Sequence, residues 1–284
     1  MASTVTYVVV ALVVAASIAV VVTHPRFARF RRSPRPHGHD RPPVGRPPRV
    51  VPARIVQTWK TLDLGMLAPA ARTWREWNPG FAYTLFDDEA CARFIRERIG
   101  TRVAAAYAKI KSGAFRADLW RYCELYVNGG VYVDVDTVCL SAVDDVIDPT
   151  ATLVVPIDLD PANLFNAFVA VAPAHPVMRM CIDAVVDNVE RGRRQAGLGF
   201  SGPGLLGSCV AAYIGSAFEV GVPIDGVQFL RFEPGTEIVS NAAGMPLMQN
   251  KNGSREIYEA YEAEARRAAI VRYDTGANGE ADGA

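Results

Sequence analysis

Asp134 and Asp136 stand one residue apart where the apolar run Val131-Tyr132-Val133 ends. Carboxylate oxygens are hard ligands, and two of them near one point suit Mn²⁺ or Mg²⁺, with substrate phosphates completing the coordination. If the strand continues, both side chains leave on one face; if it is ending, they diverge around a shared point. Either arrangement can hold one ion, directly or through water, and suggests a bound nucleoside diphosphate. The tripeptide alone decides little, since Asp158-Leu159-Asp160 repeats it after another apolar run. A solvated strand end is the ordinary reading of both. The first pair differs in its surroundings: a helix-spaced stretch carrying Asp118 and Arg121 precedes it, joined by Gly129-Gly130. Residues three apart share a helix face, so Asp118 and Arg121 are either a surface ion pair or two cleft residues beside the carboxylates.

The elements that must position these residues follow from periodicity. Phe115, Leu119, Tyr122 and Leu125 or Tyr126 recur at helical spacing, and Gly129 is placed to end that helix in a left-handed conformation. Strands are expected at Arg54 to Trp59, Phe81 to Phe86, Val131 to Val133, Leu153 to Ile157, Leu164 to Val171, Val227 to Phe232 and Glu237 to Val239. Helices are expected at Leu67 to Trp77, from the Asp87-Asp88 cap to Gly100, at Pro176 to about Glu190, and after Ser201-Gly202-Pro203-Gly204. His175, just before Pro176, reads as a helix cap in preference to a ligand. Such alternation implies an α/β sheet with helices on both faces. Ligands of such folds sit beyond the carboxyl ends of the strands, which is where Asp134 and Asp136 fall.

The chain of 284 residues divides into four parts by composition. Residues 1–23 contain Val5 to Val22, an uncharged apolar run just long enough to span a bilayer. With no Lys or Arg before it, a membrane anchor is favoured over a cleaved signal peptide. Residues 24–50 form a Pro/Arg-rich basic linker. Eight Arg and one Asp give residues 1–50 a net charge of +7, so the formally neutral chain carries −7 over residues 51–284. Arg after the anchor favours a cytoplasmic catalytic domain by the positive-inside rule and suits anionic lipid. Residues 51–274 read as one catalytic domain and 275–284 as a frayed tail. The five Cys form no C-x-x-C pair and read as small core residues. With no aromatic platform or repeated basic face in the globular part, a nucleic-acid partner is not expected.

The stretch "SGAFRADLWRYCELYVNGGVYVDVDTVCL" closely resembles the DXD-containing sugar-transferase region. That region is shared by outer-chain-initiating mannosyltransferases, capsular polysaccharide transferases and clostridial glucosylating toxins. "RIVQTWKT", "WNPGFAYTLFDDE", "FNAFVAVAPAHPVM" and "SGPGLL" resemble further landmarks in the same order, from Arg54 to Leu206. The resemblance implies a GT-A type, Rossmann-like nucleotide-sugar-binding sheet behind the N-terminal transmembrane helix. It also implies a retaining hexosyltransferase, a Mn²⁺ or Mg²⁺ ion, and transfer to a glycan, protein or lipid-linked acceptor. GDP-mannose, UDP-glucose and UDP-galactose all remain open as donors.

Under the resemblance Asp134 and Asp136 hold the metal, and Asp118 and Arg121 bind the donor sugar and join the catalytic set. Val56, Gln57, Thr58 and Trp59 lie near the nucleoside, and Tyr132 belongs to the same donor site. Asn163 and Asn166 fall on the acceptor side by analogy. The late metal-binding His of the mannosyltransferases has no counterpart, since the last His is His175; Asn250 or Asn252 would have to replace it. Two alternatives compete. A HAD-type phosphohydrolase would use Asp134 as nucleophile, but leaves Asp118, Arg121 and the Gly-Gly turn unexplained. A membrane-tethered binding protein would keep the fold without activity. Arg121→Lys is expected to lower transfer with little change in melting temperature.

Overall fold

The computed structural model describes residues 49–221 and 223–250. The predicted anchor, most of the linker, the tail and Asn252 lie outside the described residues. Among the described residues no helix is long and apolar enough to cross a membrane.

The chain opens with β1 (Arg54–Thr58). A 3₁₀ turn leads into α1 (Ala68–Trp77), and β2 (Ala82–Phe86) follows. Next comes α2 (Asp88–Phe94), capped by the Asp87 carboxylate accepting from Ala90 N at 2.8 Å and continued by a π turn to Ile99. After α3 (Thr101–Lys109) comes α4 (Gly113–Asn128), then β3 (Gly130–Val133). The middle holds β4 (Val138–Cys139), α5 (Val143–Val146), β5 (Leu153–Ile157) and β6 (Phe168–Val171). The last part holds α6 (Pro176–Glu190), α7 (Pro203–Ile214), β7 (Val227–Glu233), β8 (Ile238–Ser240) and β9 (Pro246–Gln249).

The strands form one mixed sheet in the order β2-β1-β3-β6-β5-β7-β8-β9-β4. β2, β1 and β3 run parallel, and β6 inserts antiparallel between β3 and β5. β3 lies near one end of this order and β4 ends the other, yet only Asp134 to Thr137 connect them. Four residues reach no further than about 15 Å. The sheet must therefore curl until its last strand returns to the carboxyl end of β3.

Strand alternation divides the core in two. Val56, Tyr132, Val155, Val169 and Phe229 pack with α2, α3, α4, α6 and α7 on one face. Ile55, Val131, Val133, Val154 and Leu230 pack with α1 and α5 on the other. The expectation of helices on both faces thus holds. Two expectations need correction. The strand read from Leu164 begins only at Phe168, because Leu164 makes a single bridge to Ile157 and residues 166–167 turn. The helix read through to Gly100 switches to a π turn at Ile95.

The Gly-Gly turn is tightly built. Gly129 has φ +61°, and a Cβ there would lie 2.7 Å from Pro173 N and 2.9 Å from Val171 O. Arg54 ties the turn to α4: its guanidinium donates to Gly129 O at 2.8 Å and pairs with the fully buried Glu124. This fixes where β3 starts, and hence where it delivers Asp134.

Candidate active site

Asp134 to Thr137 form a turn, so β3 is ending when it presents its two carboxylates, both half-buried. Thr137 N and Thr137 Oγ1 donate to Asp134 O at 3.3 and 2.6 Å. Trp74 on α1 donates its indole N–H to Thr137 O and Oγ1, both at 3.1 Å.

The helix-borne pair sits beside this turn and is not on the surface: Asp118 is 6% exposed and Arg121 4%. Eight consecutive residues of α4, Asp118 to Leu125, are buried. Arg121 Nη2 lies 3.3 Å from Asp118 Oδ1 and 3.4 Å from Asp134 Oδ1, bridging the helix carboxylate and the first carboxylate of the turn. Its Nη1 donates to Asn166 O at 2.5 Å, and its guanidinium lies 4.1 Å from the centre of the Tyr132 ring. Tyr132 OH in turn donates to Asp134 Oδ1 at 2.5 Å.

Asp118 also accepts from Asn166 Nδ2 on Oδ1 and from Ser201 Oγ on Oδ2, each at 2.8 Å. Burial raises its pKa; Arg121 and the hydrogen bonds from Ser201 and Asn166 oppose that rise. Burial alone would lower the pKa of Arg121, but Tyr132, Asp134 and Asp118 outweigh it and the side chain stays cationic. Burial holds the Tyr132 phenol well above its usual range, so it remains a donor at neutral pH.

Four segments therefore meet at one point: α4, the β3–β4 turn, the approach to β6 and the loop before α7. Asn166, read from sequence only as an acceptor-side residue, belongs to the Asp118 network. Ser201 was legible as part of the "SGPG" landmark but not as a partner of Asp118. Gly202 is packed so closely that a Cβ there would lie 3.3 Å from Asp118 Oδ2.

The opening strand splits its residues between the faces. Val56 and Gln57 are fully buried, Val56 in the core with α2 to α4 and Gln57 beneath the β3–β4 turn. Thr58 Oγ1 donates to Phe86 O at 3.1 Å, and Trp59 N to the same carbonyl at 2.9 Å. Both residues are half-exposed at the carboxyl edge of the sheet. Asn250 follows β9, whose pairing of Val138 with Gln249 places Asn250 opposite Thr137, beside the acidic turn. Its side chain donates to Glu237 Oε2 at 3.2 Å.

The second acidic pair is built differently. Asp158 Oδ1 accepts from Leu159 N at 2.7 Å and Asp160 Oδ1 from Ala162 N at 3.0 Å, so both carboxylates cap their own loop. His175 is the N-cap of α6, its Nδ1 accepting from Val177 N at 3.2 Å.

Two carboxylates at one turn form a hard-oxygen donor set that fits a divalent cation whose remaining ligands come from phosphate and water. Among the described residues no three of His, Cys, Asp or Glu gather as a closed protein cage.

A mixed sheet thus curls around an acidic turn with a buried Asp–Arg pair behind it. Residues 67–153 match the model of the glycosyltransferase sugar-binding region containing DXD motif. The chain is 34% identical over 101 residues to the initiation-specific alpha-1,6-mannosyltransferase of Candida albicans, covering 33% of this chain and 26% of that one. It is 28% identical over 145 residues to inositol phosphoceramide mannosyltransferase 2 of Schizosaccharomyces pombe, covering 50% and 40%. The matches thus span about a quarter to two fifths of these relatives. Its fold is similar to that of PaToxG glycosyltransferase, with TM-score 0.52 and 19% identity over 60% of this chain and 72% of that one.

Proposed function

We propose that the chain is a metal-dependent, retaining glycosyltransferase of GT-A type that moves a hexose from a nucleotide-diphosphate sugar to a glycan, protein or lipid-linked acceptor. The observation that carries this reading is the buried Arg121 bridging Asp118 and Asp134 at the carboxyl edge of the sheet. Asp134 and Asp136 would hold Mn²⁺ or Mg²⁺, with Asn250 opposite Thr137 by strand register as a candidate further ligand. When bound, the ion offsets the negative charge that grows on the departing diphosphate. Arg121 keeps a fixed positive charge beside Asp134, and a preorganised charge of this kind needs no reorganisation during the reaction. Asp118, held by Ser201 and Asn166, orients Arg121 and is the carboxylate next to the donor sugar. Thr58 and Trp59, half-exposed at the strand end, would meet the nucleoside.

Of the three donors open from sequence, relatives named as mannosyltransferases favour a mannosyl donor. The inositol phosphoceramide relative favours a lipid-linked acceptor, in keeping with an apolar N-terminal run that would tether the protein to a membrane. The cytoplasmic side remains the proposal for the catalytic domain, tested by protease protection in sealed vesicles. A HAD-type hydrolase leaves unused the Asp118–Arg121 network that touches Asp134.

A thermal-shift panel of GDP-mannose, UDP-glucose and UDP-galactose, each with and without Mn²⁺, tests the function. A ligand bound only by the native state raises apparent stability with its concentration. One donor should raise the melting temperature in a Mn²⁺-dependent way, and hydrolysis of that donor separates an enzyme from an inactive binder. No shift with any donor, or the same shift without metal, would count against the reading.

A further inference from the structure

Gln57 is a polar residue with no exposed surface, on the sheet face opposite Arg121. Ile55, the other β1 residue on this face, is apolar and buried, and a buried carboxamide without partners would cost several kcal/mol. Both ends of this one are used. Nε2 donates to Asp134 O at 3.1 Å, and Oε1 accepts from Tyr83 OH at 2.5 Å. The orientation of the amide follows from chemistry. A carbonyl only accepts, so the NH₂ end must face Asp134. The oxygen is then left for Tyr83, whose phenol must donate. Burial pushes the Tyr83 phenol up to about 12, which keeps that donor protonated at neutral pH.

We propose that Gln57 is a positioning residue for the acidic turn: oriented by Tyr83, it fixes the Asp134 carbonyl from below and so sets the direction in which the Asp134 and Asp136 carboxylates project. This rests on the function proposed above. Three donors converge on the Asp134 carbonyl: Gln57 Nε2, Thr137 Oγ1 and Thr137 N. The two from Thr137 lie within the turn, and Gln57 is the one of the three that reaches the carbonyl from the sheet; Asp134 N donates separately to Ala167 O at 3.0 Å. Trp74 braces the other end of the turn through Thr137. The relay surfaces at Tyr83, a wall of a cleft of about 540 Å³ shared with Arg75, Asn78, Pro79 and Phe81.

A two-carboxylate site depends on geometry, and misplacement by about 1 Å can cost about a hundredfold in rate. The test measures Mn²⁺ affinity of the full chain by calorimetry, with the metal alone and with GDP or UDP, next to melting temperature. Gln57→Leu removes the tether without changing bulk greatly; Tyr83→Phe removes only the orienting hydroxyl. Gln57→Leu should weaken Mn²⁺ binding about tenfold or more in protein that remains folded, and Tyr83→Phe by a smaller factor in the same direction. Val154→Ala, a core change on the same sheet face, serves as the destabilised control and should leave Mn²⁺ affinity unchanged. Unchanged affinity in Gln57→Leu, or an equal loss in Val154→Ala, would overturn the proposal. Failure of the wild type to bind Mn²⁺ under any condition would instead overturn the function on which it rests.

Discussion

Arg121→Lys keeps the charge and removes the planar fork. The structure gives the size of the loss. The guanidinium spans Asn166 O, Asp118 Oδ1 and Asp134 Oδ1 while stacking on Tyr132. A lysine ammonium is a compact point charge and cannot hold these positions together. One charge-assisted hydrogen bond is worth about 1.5–3 kcal/mol and the ring contact about 0.5–2 kcal/mol. A loss of about 2–4 kcal/mol in the transition state corresponds to a fall of about 30- to 1,000-fold in kcat/KM. Burial at 4% exposure also revises the expectation that stability is spared. At about 2–4 °C per kcal/mol for a domain of this size, the melting temperature should drop by about 5–15 °C. The assay is nucleoside diphosphate release from the donor found in the panel, at a temperature where both proteins are fully folded. A variant with a lower melting temperature and normal kcat/KM would reduce the network to a structural ion pair. Unchanged values of both would refute the geometric argument itself.

Two further outcomes concern the frame around the site. His175 is buried as a helix cap, and burial lowers its pKa to about 4, below the ordinary value of 6.5. The folded state therefore binds fewer protons than the unfolded state between these values, so the contribution is full above pH 6.5 and is lost as pH falls toward 4, up to about 3 kcal/mol. His175→Asn keeps a capping oxygen and should lose less melting temperature between pH 7 and 4.5 than the wild type; an identical pH dependence would contradict this. Gly129→Ala places a Cβ against the Pro173 and Val171 backbone in a left-handed conformation and should cost more than about 2 kcal/mol, read as a lower urea midpoint at unchanged slope.

Much of this arrangement was legible in the residues. Ile157 and Pro176 bound their elements to the residue, because a turn follows one and a fixed proline φ opens the other. Gly129 ended α4 where its freedom at positive φ was needed. The acidic pair with its helix and Gly-Gly turn singled out residues that the fold brings together, Asp118, Arg121 and Asp134. Other features were hidden for physical reasons. The spacing of Asp118 and Arg121 showed that they share a face, but α4 is buried along eight consecutive residues and carries no amphipathic stripe to show which way that face points. β4 has two residues and β9 begins with Pro246, so neither displays a strand period. Their pairing, which curls the sheet and brings Asn250 to the turn, is a long-range event. The resemblance puts Gln57 near the nucleoside; its bond to Asp134 O depends on the β1–β3 register and could not be seen in sequence.

The central claim is that the Asp134–Asp136 turn, and not the matching Asp158–Asp160 loop, holds the metal at which the donor reacts. Donor turnover across a Mn²⁺ titration, measured for Asp134→Asn with Asp136→Asn and for Asp158→Asn with Asp160→Asn, tests it directly. Asparagine keeps an accepting oxygen for the loop N–H groups of Leu159 and Ala162, so the second double variant should retain most of its activity and an unchanged Mn²⁺ midpoint. The first should show no Mn²⁺-dependent turnover at any concentration while remaining folded. A dead 158/160 variant beside a 134/136 variant that still turns over would contradict the account.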